Sequence, residues 1–150
     1  MTLSEAVADP GRRDAIVADC VRLVDDEVRG KSGLTGAAVR AGYAAFQRVK
    51  PGIVRAAVIR LLPEMAPALE GHWTASAAGG GADRYFRAND RRIAEDLLTV
   101  TDRLAARSTN RVLTKLYGSL RPSAVTHVVA AVPRIPALLR AHLPDPGPLG

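Results

Sequence analysis

The chain has 150 residues, 47% of them apolar but only 4% aromatic, and a net charge of +6. That length supports one domain, or two small halves sharing a core, and buries roughly two-thirds of the unfolded surface. A lone cysteine, Cys20, excludes an intrachain disulfide or a cysteine-based zinc site, and no uncharged apolar run reaches the ~18 residues of a membrane span.

Alanine dominates the apolar set and no segment alternates apolar with polar, so helix is expected throughout. MTLSEAVADPGRR lacks the basic and apolar regions of a signal peptide, which makes a cytoplasmic location the expectation. Asp9-Pro10 reads as a helix start, a capping aspartate followed by proline at the first helical position. Ile16, Cys20, Leu23, Val24 and Val28 then share one stripe, and Gly30 ends the helix. Cys20 is thereby expected as a small buried apolar residue.

A second helix is predicted from Ser32 or Thr35 through Ala38, Val39, Gly42, Ala45, Phe46 and Val49. Lys50-Pro51 ends it, and Pro51 opens a third through Ile53, Val54, Ala57, Val58 and Leu61. Pro63 is expected to kink or break that helix, leaving a short segment through Met65 and Leu69 to Trp73. TASAAGGGAD is the strongest loop signal, a flexible connection over 74–82.

Helical periodicity resumes at Tyr85 and Phe86, and a long helix is predicted from Asn89 or Asp90 through Ile93, Leu97, Val100 and Leu104. Ser108 or Thr109 is expected to cap the next helix, which carries Val112, Leu113 and Leu116. Pro122 is read as opening another through Val125, Val128, Val129 and Val132, before Pro133 and Pro136 lead into 137–143. The tail 144–150 is predicted to be disordered.

Half-repeats over about 9–73 and 89–143 share an order of landmarks. RRDAIVADCVRLVD sets against RRIAEDLLTVTD, bringing Ile16 to Ile93, Asp19 to Asp96 and Asp25 to Asp102. KSGLTGAAVRAGY against RSTNRVLTKLY brings Tyr43 to Tyr117, KPGIVRAAVIRLLP matches RPSAVTHVVAAVP, and PALEGH against PALLRAH brings His72 to His142. The expected fold is therefore all-α, a compact bundle of about seven to ten helices in two similar halves around a pseudo-two-fold axis. Such a duplication lets a monomer imitate a two-fold dimer, which favours a monomer.

Gly30-Lys31-Ser32 matches the end of a phosphate-binding loop, but Asp25 stands where the first glycine is required and the preceding residues are helical and acidic. Lys31-Ser32 and Arg107-Ser108 hold matching places before helices, where a cation and hydroxyl at a helix N-terminus can hold an anion. The plainer reading is caps beside solvated cations.

Arg40, Tyr43 and Arg48 share a polar helix flank, as do Arg111 and Lys115, and Tyr43 and Tyr117 are candidates to meet near the axis. Arginine outnumbers lysine 18 to 3, as GC-rich coding produces, and acidic residues interleave with the basic ones, so a dedicated nucleic-acid face is weakly marked. Trp73, Tyr85 and Phe86 read as a staple beneath the glycine loop, or as aromatic anchors beside Arg84 and Arg87. His72, His127 and His142 show no metal-ligand spacing, and Glu95 and Asp96 read as a solvated face. No catalytic residue, metal or cofactor is expected.

AIVADCVRLVDDEVRGKSGLTGAAVRAGYAAFQRVKPGIV, with EDLLTVTDRLAARS later, resembles an uncharacterised family of small actinobacterial proteins, over roughly Pro10 to His142. The resemblance implies an all-α cytoplasmic protein and carries no activity or functional residues. The function expected is non-enzymatic binding to a protein partner through a helical surface. A nucleic-acid or polyanion module using Lys31, Arg40, Arg107 and Arg111, and a binder of a small apolar ligand between the halves, are the alternatives.

Overall fold

A computed structural model describes residues 1–144 and Pro146; part of the tail predicted to be disordered lies outside the described residues. The described chain is an all-α bundle without strands. The first helix, α1 (Leu3–Ala8), begins in a capping box formed by Thr2 and Glu5. Its first N–H is taken by Glu70 of a later helix at 2.8 Å. Asp9 caps α2 (Pro10–Gly30), accepting from the Gly11 N–H at 3.2 Å, with Pro10 at the first helical position.

Next come α3 (Gly33–Val49) and α4 (Ile53–Ala75), separated by Gly52 at φ +76°. That left-handed turn suits glycine and stops α3 running on into α4. After α5 (Ala82–Ala88) and α6 (Asp90–Arg107), α7 spans Arg111–Ala131, and a 3₁₀ turn (Val132–Arg134) leads to α8 (Ile135–Arg140).

The proline expectations fail at three places. Pro51 does not open the helix it precedes, since α4 starts at Ile53 after the Gly52 N-cap. Pro63, with Pro67, lies inside an unbroken α4, and Pro122 lies inside α7 and opens nothing. A proline deletes the bond to the carbonyl four residues back. Those carbonyls belong to Ile59, Pro63 and Gly118, all exposed, so water is at hand to replace the lost donors. On the inner stripe of α4, Leu62, Ala66, Leu69 and Trp73 are all buried, and their packing keeps the helix on course.

Asn110 caps α7, accepting from the N–H groups of Val112 and Leu113 at 3.0 and 3.2 Å. Ser108, one of the two expected caps, closes α6, its N–H bonded to the Ala105 carbonyl at 3.1 Å. The loop expected over 74–82 is shorter, because Thr74 and Ala75 still belong to α4 and Ala82 opens α5, and the connection left over 76–81 is wound in successive turns. The N–H groups of Gly79 and Gly81 both bond to the Ser76 carbonyl, and the buried Ser76 hydroxyl donates to the Trp73 carbonyl at 2.6 Å.

Packing is uneven along the bundle. Leu3, Ala6 and Val7 of α1 join Ile16 and Val17 of α2, Leu69 and Trp73 of α4, Phe86 of α5, Ile93 and Ala94 of α6, and Leu139 of α8 in one core. Trp73 and Phe86 meet edge to face at 6.5 Å, Tyr85 and Phe86 at 6.0 Å, and the Trp73 indole donates to the Pro144 carbonyl at 3.2 Å. These aromatics do form the staple. At the other end α3 buries only Gly36 and α7 buries no residue at all. The molecule thus has a packed end and an open end.

Candidate functional site

Two histidines tie the packed end across the chain. His72 of α4 places Nε2 2.7 Å from Oδ2 of Asp96 on α6, and His142, just past α8, places Nε2 2.7 Å from Oδ2 of Asp19 on α2. A carboxylate only accepts, so each Nε2 carries a proton, and Nδ1 of His72 lies 3.2 Å from the Tyr85 hydroxyl, within hydrogen-bond reach. Each bond joins the N-terminal part of the chain to the C-terminal part.

Two tyrosines make a second pair of bonds. Tyr43 of α3 donates to Asp25 near the end of α2, and Tyr117 of α7 donates to Asp102 near the end of α6. The tyrosines expected to meet each other thus turn to the preceding helix. Burial first, then the partner carboxylate, raises the pKa of both phenols. Asp102 also holds Arg121 in a two-point fork, Nε to Oδ1 at 2.8 Å and Nη2 to Oδ2 at 3.1 Å. The Arg121 guanidinium, with the Tyr117 hydroxyl second, keeps the Asp102 carboxyl below its ordinary value.

The other singled-out cations are mostly engaged. Lys31 lies 3.4 Å from Glu27 and its carbonyl accepts from Arg40, while Arg107 forks on Glu64 at 3.1 and 3.2 Å. Arg111 makes no ion pair among the described residues. Ser32 precedes α3 without a side-chain capping bond, and the Ser108 hydroxyl accepts from the Asn110 N–H at 3.2 Å. The structure does not gather Lys31, Ser32, Arg107 and Ser108 into one cradle: Lys31 bonds within α2, and Arg107 reaches across to α4.

The sequence matches the family of unknown function DUF6918 over residues 3–143. The chain belongs to that family. No curated protein and no solved structure matches it.

In this DUF6918 chain the described residues include no group of three or more His, Cys, Asp or Glu able to hold a metal. Cys20 is half-buried against the core, and burial pushes its thiol up to about 11, with Asp19 adding to the rise. Such a thiol stays protonated and unreactive near neutrality. His127 has a buried Nε2 with no hydrogen-bond partner, and burial, with Lys31 second, lowers its pKa.

Two clefts open on the surface. One of about 310 Å³ lies on α7, lined by Val112, Lys115, Leu116 and Ser119. The other, about 220 Å³, lies between α2, α3, the Pro51-Gly52 turn and the start of α4, with Asp25, Tyr43 and Gln47 in its wall. Neither is a cavity between the two halves. One helical run, Arg111–Arg140, is long and apolar enough by length and composition to cross a membrane. In this structure it packs on α3 and α6, with Arg121 bound to Asp102.

Sequence reasoning missed the His–Asp and Tyr–Asp bonds and the Arg121 fork. The alignment of the two halves held the signal, because it already paired Asp19 with Asp96, Asp25 with Asp102, Tyr43 with Tyr117 and His72 with His142.

Proposed function

We propose that the protein is a non-enzymatic, cytoplasmic helical binding protein whose contact surface is the outer side of α3 and α7. The observation that carries this reading is the open end itself. Leu34 of α3 is 93% exposed and Val112 of α7 is 56% exposed, and Val112 stands in the wall of the 310 Å³ cleft. Exposed aliphatic side chains on an unpacked helix face are what a partner helix or segment covers.

A catalytic role finds less support. Both ring nitrogens of His72 are bonded within the protein, and the Cys20 thiol is held protonated. A polyanion role is weakened because Lys31 and Arg107 are neutralised by Glu27 and Glu64.

The repeated Asp–Tyr and His–Asp bonds support a tandem duplication, with the halves exchanging their histidines across the bundle. A chain built so carries its own two-fold partner and favours a monomer. The experiment is affinity purification of the tagged protein from its native host beside a Val112→Glu variant. A partner chain recovered with the wild type and lost from the variant is expected. A partner held equally by both would contradict the α7 surface.

A further inference from the structure

One half of the molecule contains a filled version of a site that the other half leaves open. Asp102, which also accepts from the Tyr117 hydroxyl, holds the guanidinium of Arg121, which stands four residues after Tyr117 and so one helical turn along the same face of α7. Asp25 and Tyr43 form the same carboxylate–phenol bond between α2 and α3. The residue four after Tyr43 is Gln47, a neutral amide, and Asp25 makes no ion pair among the described residues. A cleft of about 220 Å³ opens where a guanidinium would be, with Asp25, Tyr43 and Gln47 beside Val21, Ile53 and Val54.

We propose that the Asp25–Tyr43 cleft binds a guanidinium group, from an arginine side chain of a partner or from a free guanidino compound. The Asp102 site shows how this protein seats the group: a two-point fork on a carboxylate whose remaining direction is held by a tyrosine hydroxyl. Val21, Ile53 and Val54 offer apolar wall to the methylene stem that such a group trails. Lys50, which the sequence alignment sets against Arg121, cannot fill the place by that route. It follows the last residue of α3, seven residues beyond Tyr43, and is exposed. Arg55 also lines the cleft, with its guanidinium 4.0 Å from Asp14 and no ion pair to Asp25, and Arg29, one helical turn after Asp25, lies close enough to act on the Tyr43 phenol, so both charges oppose the ligand at the rim. The proposal rests on the reading of the chain as a binding protein, at a site separate from the α7 cleft.

The test is a titration of the ¹⁵N-labelled protein with N-acetyl-arginine methylamide, and in a second arm with agmatine, following backbone amide shifts. Saturable shifts at Tyr43, Gln47, Gly52 and Val54 are expected, with a dissociation constant on the order of 1 mM. Tighter binding of the first probe assigns the natural source to a protein arginine, and of the second to a free guanidino compound. Asp25→Asn is expected to weaken binding about tenfold or more. Gln47→Arg supplies an internal guanidinium as Arg121 does, keeps Asp25 in place and is expected to abolish binding. Arg55→Ala is expected to strengthen it, and Val112→Glu to leave it unchanged. The absence of saturable shifts with both probes, or shifts undiminished in Gln47→Arg, would overturn the proposal. That failure leaves the α7 surface standing, since partner capture there is scored by Val112→Glu alone.

Discussion

His142 bonds to Asp19 across 123 residues of chain, Nε2 to Oδ2 at 2.7 Å, and so fastens the end of the last helix to the second. His72 does the same between α4 and Asp96 of α6. Both bonds tie the N-terminal part of the chain to the C-terminal part.

Removing one member of either pair is expected to cost about 1–3 kcal/mol, the usual penalty for a broken charge-assisted bond with one partner left behind. Urea unfolding of His72→Ala, Asp96→Ala and the double variant measures it. A coupling of about 0.5–3 kcal/mol between the two sites is expected, against none for His72 with Asp19.

Gly52 is expected to resist substitution. Its φ of +76° is left-handed, so Gly52→Ala should lose about 1 kcal/mol in urea unfolding although no atom crowds the new Cβ. Gly30, helical and equally open, lacks that constraint, and Gly30→Ala should cost less or be neutral.

Acid is expected to act through two groups. His127 has its pKa lowered in the fold, so the unfolded chain binds more protons; its penalty is absent above about 6.5, the ordinary value, and grows as pH falls through it. Asp102 is also lowered, so its contribution is present above 3.8 and is lost as pH falls through the folded value. Thermal melts of His127→Gln should flatten the upper window, and those of Asp102→Asn the lower one.

The helices were legible because their apolar stripes recur at helical spacing, and Ile16, Leu69, Trp73 and Ile93 are all buried on them. The prolines misled because a sequence marks a lost hydrogen bond but not which face it falls on. At Pro63 and Pro122 it falls on the exposed face, and the helix continues. Lys31 and Arg107 looked like free cations for related reasons. The Glu27 partner stands four residues before Lys31 and was readable, whereas Glu64 meets Arg107 only once α4 packs on α6. Landmark order alone could set Asp25 beside Asp102, but not show that one carboxylate holds an arginine and the other faces a cleft.

The exposed apolar residues of the open end are expected to matter for contact and not for stability. Leu34→Glu and Val112→Glu should each change unfolding free energy by less than about 0.5 kcal/mol, since neither side chain belongs to the core. A large loss in either would mean that the residue packs inward in solution.

Native mass spectrometry of the protein isolated from its own host under gentle conditions tests the binding role most directly. A complex with a second chain of defined mass, absent when Val112→Glu is isolated in the same way, is the expected result. A bare monomer from both preparations, or a complex indifferent to Val112, would contradict a contact surface on α7.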